Sequence, residues 1–430
     1  MSAILERLSE ELRPPLSAAE AVIEADRCLD CRGGEAPAPC MVACPADVDV
    51  ASFVASLADD DPAAAATTIF QANLLGGTCA RVCPVEVLCQ AGCVLSHDGQ
   101  PPIEIAALQR YATEWAFANE LPLRPTASAN GLSAAVVGAG PAGLAAAGEL
   151  ASRGYAVTLY DEREEPGGLV RYAIAPYRQT NEPLPAEAAA LARLGVEFRH
   201  GVRVDRARLD VMIDEHDAVV IAVGMGRDVQ LHYPGEELEG VWDSLDFIER
   251  LKTGRAPSVG ERVAVVGGGN TAVDVAVEAK RLGATVALLL YRRTEAEMPA
   301  YPHEVELARR EGVAIHFLVN PVEFVGTSHV EGVRCALMEL GAPDDTGRRR
   351  PQPVPGTDFV IPVDTIVKAV GQEPRQEFAD LLGAVDANGR TSNPKVFAAG
   401  DAVNGGASVV EAVREAKLAV QSIEELRCPS

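Results

Sequence analysis

An α-helical N-terminal domain, followed by an α/β region with two parallel-sheet units, is the architecture this 430-residue chain predicts. Three observations carry that expectation. Eight of the ten cysteines fall between Cys28 and Cys93, in a stretch whose apolar spacing is otherwise helical. A pattern of strand, glycine turn, helix and strand then occurs twice, once from Ser133 and once from Arg262. The chain is also too long for one ordinary core, and 48% hydrophobic with 5% aromatic residues suits Ala/Val/Leu-rich α/β domains.

The charge balance narrows the partners. With 62 acidic against 38 basic residues, the net charge is −24, which argues against nucleic acid or an anionic membrane. Met1 to Leu8 is charged and amphipathic and lacks the apolar core of a signal peptide. No apolar run reaches membrane-spanning length. The expectation is a cytoplasmic protein, where clustered cysteines serve as metal ligands or catalytic groups in preference to disulfides.

Taken in order, the chain opens with two short helical patterns around Pro14-Pro15, the second started by a capping box at Ser17 and Glu20. Ala-rich helices flank Asp59-Asp-Asp-Pro62. A further helix is expected over about Ile103 to Asn119, with Ile105, Leu108, Tyr111, Ala112 and Trp115 on one face. Leu121 to Gly131 reads as a linker by composition. The boundaries that follow are 1–125 for the helical domain, 131–257 with 356–430 for the first α/β domain, and 258–355 for an inserted second one. The strands at Ala218 and Thr365 end alike and flank the insert.

The first turn is Gly138-Ala-Gly-Pro-Ala-Gly143. Gly138 permits the tight turn, Gly140 lets backbone approach a pyrophosphate, and Gly143 lets helix pack on strand. With Pro141 and Ala142 it opens a helix whose free N–H groups attract phosphate. Asp161, at the end of the next strand, is placed for ribose hydroxyls, the plain alternative being a strand-end turn residue. Gly167-Gly168, with Leu169 next to them, offer a second backbone approach, and Gly400-Asp401 before Gly405-Gly406 and a C-terminal helix suits a ribityl chain or the phosphate region. Together these favour FAD, with that helix's N-terminus stabilising negative charge on the reduced ring.

The second turn has Gly267, Gly269, Asn270, Thr271 and Ala272, which suits a nicotinamide dinucleotide. Its second strand ends in Arg292 and Arg293 instead of an acid. Arginines accommodate a 2′-phosphate, so NADPH is expected, with NADH the alternative.

Short cysteine spacings serve zinc or iron–sulfur clusters. Cys44-Pro45 and Cys83-Pro84 are of the ferredoxin type. Two zinc sites of four thiolates are the plain alternative. No cysteine lies between Cys93 and Cys335, so a flavin-linked disulfide is excluded, and electrons from a flavin have the cysteine region as their outlet.

Cys28-Leu-Asp-Cys31, Cys40-Met-Val-Ala-Cys-Pro45, the two glycine turns and Tyr-Arg-Arg-Thr…Met298-Pro299 resemble the small subunit of glutamate synthase and its relatives over nearly the whole chain. The resemblance implies two 4Fe-4S clusters, FAD and NAD(P)H. The longer spacing Cys83-x5-Cys89-x3-Cys93, and Ala107-Leu-Gln109-Arg-Tyr-Ala-Thr-Glu114, resemble the N-terminal half of dihydropyrimidine dehydrogenase more closely. That likeness implies one cluster on Cys28, Cys31, Cys40 and Cys93, and another on Cys44, Cys83, Cys89 and Gln109. Cys79 is the alternative to Gln109, and the long Arg32–Pro39 loop departs from the family spacing at Cys40. It further implies a hetero-oligomer with an FMN-containing, pyrimidine-reducing barrel subunit, without which this chain would not reduce uracil. A glutamate synthase subunit, or a zinc-stapled assembly module, are the alternatives. Cys335 and Cys428 match no functional position.

Overall fold

The computed structural model describes residues 10–32, 36–343 and 347–427. Met1–Leu8, part of the Arg32–Pro39 loop and Cys428 lie outside them. In chain order the strands of the first half are β1 (Ser133–Val137), β2 (Ala156–Tyr160), β3 (Val196–Arg199), β4 (Ala218–Ile221), β5 (Val241–Asp243), β6 (Arg262–Val266) and β7 (Val286–Tyr291). There follow β8 (Ala314–Phe317), β9 (Val319–Gly326), β10 (Val330–Pro343), β11 (Arg349–Pro353), β12 (Phe359–Pro362), β13 (Thr365–Lys368) and β14 (Val396–Ala398). The chain forms two compact units.

The larger unit spans Leu12–Arg171, Asn181–Met225 and the chain from Pro374 onward. Its N-terminal part is helical: Ala18–Ala25, Val50–Ala58, Pro62–Ala72, Gly76–Val82 and Ile105–Ala118. The capping box forms, with Ser17 N donating to Glu20 Oε2 at 2.8 Å. Asp49 and Asp61 cap the next two helices by accepting from Ser52 N and Ala64 N. Phe53, Leu57, Ile69, Phe70 and Leu108 are fully buried between these helices. The Ile105–Ala118 helix buries more than one stripe, because several helices pack on it. Gln109, Arg110 and Thr113 are buried, whereas Tyr111 and Trp115 are only half-buried. The buried face therefore keeps Ile105, Leu108 and Ala112 and widens to take in Gln109, Arg110 and Thr113.

The rest of this unit is a parallel sheet in the order β14-β4-β1-β2-β3. Crossing from β1 through the Pro141–Ala151 helix to β2 puts the glycine turn at the carboxyl ends of the strands, where such sheets bind ligands. The segment 121–131 contains no helix or strand, but it is pinned. Arg124 donates to the Phe70 and Gln71 carbonyls and pairs with Glu149 at 2.8 Å.

The second unit comprises chiefly Tyr172–Thr180 and Gly226–Glu373. Its parallel sheet runs β5-β13-β6-β7-β8, and an antiparallel sheet is formed by β9 to β12. Strand β13 at Thr365 is central here, buried throughout and paired with β5 and β6. It thus belongs with the insert it was expected to flank, as does β5. Among the described residues, no helix is long and apolar enough to cross a membrane.

Candidate cofactor and cluster sites

The first glycine turn is dictated by close approach. Gly138 has φ +104°, and a Cβ there would lie 2.3 Å from the Ala222 carbonyl oxygen. A Cβ on Gly143 would lie 1.7 Å from Gly138 O, so only glycine lets this helix seat on its own turn. The helix that opens at Pro141 and buried Ala142 has no side-chain cap, which leaves its first N–H groups for a ligand. Asp161 fixes the turn from beneath, Oδ2 accepting from Ala139 N at 2.5 Å and Oδ1 from Arg163 N at 2.8 Å.

Two other segments converge on this turn. A Cβ on Gly168 would lie 2.7 Å from Gly140 Cα, so the two glycines meet as bare backbone. Half-buried Leu169 starts the next helical turn. A Cβ on Gly400 would lie 2.8 Å from the Ala142 Cβ, which brings the C-terminal motif against the same turn. Asp401 accepts from Ala407 N at 3.1 Å, and burial raises its pKa above the ordinary carboxyl value. The C-terminal helix Val409–Arg427 is capped by its own box, Ser408 N donating to Glu411 Oε2 at 2.9 Å, so part of its N-terminal donor capacity is already used. Three backbone segments free of side chains, at Gly140, Gly168 and Gly400, thus converge beside an uncapped helix N-terminus, which fits the pyrophosphate of FAD.

The second turn is built alike. Gly267 has φ +147°, and a Cβ there would meet Ala369 O at 2.1 Å. Gly269 has open space beside it, and the Asn270–Arg281 helix has no side-chain cap at its N-terminus. Asn270 Oδ1 accepts from Tyr301 N at 3.0 Å, Thr271 is half-buried, and Ala272 is buried under the turn. The arginine pair separates. Arg292 is exposed at the end of β7, while Arg293 is buried and donates from Nε to the Arg349 carbonyl at 2.9 Å. Arg348, which the sequence reading passed over, donates to the Tyr291 hydroxyl at 3.2 Å from 57 residues away. No local spacing could have revealed it.

The cysteines line two cavities. One is walled by Cys28, Cys31, Cys40 and Cys93. The other is walled by Cys44, Cys79, Cys83, Cys89 and Gln109. Ile105 lies in the wall of both. The remaining lining is mostly apolar, Val50, Val54 and Leu95 in the first and Val48, Leu88 and Val410 in the second. Ile103 N points at Cys93 Sγ, 3.5 Å away. Gln109 Nε2 donates to Gly76 O at 2.7 Å.

These pockets disfavour bare thiolates. Burial pushes Cys40 up to about 11 and Cys89 up to about 12. A hydrogen bond with Cys79, followed by burial, holds Cys83 well above its ordinary value. Bound iron would supply the compensating positive charge. Among the described residues, no three His, Cys, Asp or Glu side chains converge on one point as a lone ion needs. Four cysteines wall each cavity, the number of thiolates that an iron–sulfur cluster takes.

Comparison with known proteins agrees with this geometry. Residues 132–416 match the family described as pyridine nucleotide-disulphide oxidoreductase. Residues 6–121 match the family described as dihydropyrimidine dehydrogenase domain II, 4Fe-4S cluster. The chain is 38% identical to the NADP(+)-dependent formate dehydrogenase subunit beta of Moorella thermoacetica over 90% of its own length, and spans 60% of that protein. It is 34% identical to the glutamate synthase [NADPH] small chain of Halomonas elongata, covering 96% of this chain and 92% of that one. The fold is shared with Mycobacterium tuberculosis FprA, at TM-score 0.57 and 21% identity over 69% of this chain and 85% of FprA.

Fold and sites thus define a two-dinucleotide oxidoreductase carrying an iron–sulfur domain at its N-terminal side. The chain belongs to the pyridine nucleotide-disulphide oxidoreductase family, in the branch of NADPH-dependent flavin and iron–sulfur proteins that contains the glutamate synthase small chains.

Proposed function

We propose that this chain is the electron-input subunit of a glutamate synthase-type assembly. It takes hydride from NADPH onto FAD and delivers electrons, through two 4Fe-4S clusters, to an acceptor on a partner subunit. Bound FAD supplies the step from two-electron to one-electron chemistry. The chain's own residues bind and orient: the turn at Gly138 and Gly168 holds the pyrophosphate, Asp161 and Asp401 mark its two ends, and Gly267 to Ala272 with Arg292 hold NADPH.

One observation carries this reading. Val410, in the first turn of the helix that follows Gly400-Asp401, also walls the Cys44–Gln109 cavity. The flavin motif and a cysteine cavity therefore share a structural wall in one compact unit. Near-full-length similarity to the Halomonas elongata small chain supports the choice of assembly. In this reading Cys28, Cys31, Cys40 and Cys93 hold one cluster. Cys44, Cys83, Cys89 and either Gln109 or Cys79 hold the other. In this reading the nicotinamide region is Gly226–Glu373, wider at both ends than the 258–355 expected.

A second reading rests on Gln109. Its place in the second cavity, and the domain II match over residues 6–121, favour a partner that reduces uracil or thymine on an FMN-containing barrel. An anaerobic pull-down distinguishes the two, followed by NADPH oxidation with glutamine plus 2-oxoglutarate and, separately, with uracil. A glutaminase-bearing partner supports the first reading, and an FMN protein that turns over uracil overturns it. A colourless, iron-free preparation made without air would end both.

A further inference from the structure

Glu187 has no place in the sites described above, yet it is fully buried and joins the flavin part of the larger unit to the cysteine helix. It sits on the Leu184–Leu194 helix. Its Oε1 accepts from Thr78 N at 2.8 Å and its Oε2 from the Thr78 hydroxyl at 2.6 Å. The Gly77 N–H also points at this carboxylate. Thr78 and Gly77 form the first turn of the Gly76–Val82 helix, which carries Cys79 and runs into Cys83. That helix has no cap of its own, so Glu187 caps it from a residue 109 positions away.

The contact reaches the second cavity by a short chain of bonds. The residue before Gly77 is Gly76, whose carbonyl accepts from Gln109 Nε2 at 2.7 Å. Gln109 lines the cavity with Cys44, Cys83 and Cys89. Pro183 and Phe117 close the other sides of Gly77, and buried Arg81 donates to the Gly77 carbonyl at 2.9 Å. Buried Arg81 is a cation close enough to offset part of the Glu187 charge, and with water excluded the remainder is little screened.

We propose that Glu187 is a positioning residue for the second iron–sulfur site: it fixes the first turn of the Cys79–Cys83 helix and, as a buried negative charge, lowers that cluster's reduction potential. This rests on the reading that the second cavity holds a cluster. Burial pushes the Glu187 carboxyl up to about 7, so the charge is present above that pH. A more negative neighbourhood disfavours adding an electron to a cluster, and removing the charge should favour it.

The test is a redox titration followed by EPR at pH 8.5 on the full chain, prepared anaerobically as wild type, Glu187→Gln and Thr78→Ala. Glu187→Gln keeps the shape and removes the charge. Thr78→Ala keeps the charge and removes one bond to it. The expected result is wild-type iron and FAD content in both variants and an unchanged first-cluster signal. The second-cluster midpoint should shift upward in Glu187→Gln and less in Thr78→Ala. Equal midpoints for all three proteins, with clusters intact, would overturn the proposal while leaving the cluster reading in place. Wild-type protein without iron would overturn both.

Discussion

The side-chain amide of Gln109 gives its N–H to the Gly76 carbonyl, with 2.7 Å between Nε2 and O. That bond fixes which end of the amide is which and leaves the oxygen as the atom available to the cavity lined by Cys44, Cys83 and Cys89. Gln109→Ala should therefore alter one cluster alone. Iron analysis and reduced-state EPR would show one perturbed signal with FAD retained. Two unaltered signals would take Gln109 off the ligand set and leave Cys79, on the same cavity wall, in its place.

The two glycine turns predict opposite outcomes for the same substitution. Gly143→Ala drives a methyl into the Gly138 carbonyl, 1.7 Å away, and neither backbone can yield without opening the turn. The variant should lose most of its flavin, read from the protein's absorbance. Gly269→Ala meets nothing within 4 Å and keeps an ordinary backbone conformation, so it should fold normally. Its methyl would stand only where a pyrophosphate approaches. The expected effect is a rise in the KM for NADPH of roughly tenfold, about 1.4 kcal/mol, with flavin content unchanged.

What the sequence made legible was whatever repeats over short distances. The strand, glycine turn and helix units at Ser133 and Arg262 were readable because their spacing is local, and so was the capping box at Ser17. The convergence of Gly168 and Gly400 on the first turn could be inferred from motif order, though their contact could not. Strand β13 was misplaced because its apolar run has no signature of the sheet it joins. The Leu121–Gly131 stretch looked like a free linker because Arg124's partners, Phe70 and Gln71, lie some fifty positions earlier. Glu187 and Arg348 were missed for the same reason: a buried polar contact between distant residues leaves no periodicity in either segment.

Arg292 and Arg293 look equivalent in sequence, and their surroundings separate them. Exposed Arg292 is free of any described structural bond, whereas buried Arg293 holds the Arg349 carbonyl at 2.9 Å. Arg292→Ala should raise the KM for NADPH about tenfold with little change for NADH, the loss of one charge-assisted contact to a 2′-phosphate. Arg293→Ala should instead lower the melting temperature, because a buried side chain is lost together with its bond to the Arg349 carbonyl. Steady-state kinetics with both nucleotides and a thermal melt of each variant check the division. An equal effect of Arg292→Ala on NADPH and NADH would show that it does not read the phosphate.

Glu278 supplies a prediction about pH. It lies on the Asn270–Arg281 helix, fully buried, with Oε2 unbonded and Oε1 only 3.5 Å from Tyr177 N. Burial pushes its carboxyl up to about 8, against the opposing pull of Arg281 and Lys252, with Asp274 adding to the rise. The folded protein thus holds the proton more tightly than the unfolded chain does. Its contribution to stability is fully present below the ordinary carboxyl range and is lost as pH rises through about 8. Each unit of such a shift corresponds to about 1.4 kcal/mol, so the loss across that window is on the order of a few kcal/mol. Glu278→Gln is neutral at every pH and escapes it. Its melting temperature should match wild type near pH 5 and exceed it by several degrees at pH 9. Parallel curves for the two proteins between those limits would mean that Glu278 is ionised in the folded state throughout.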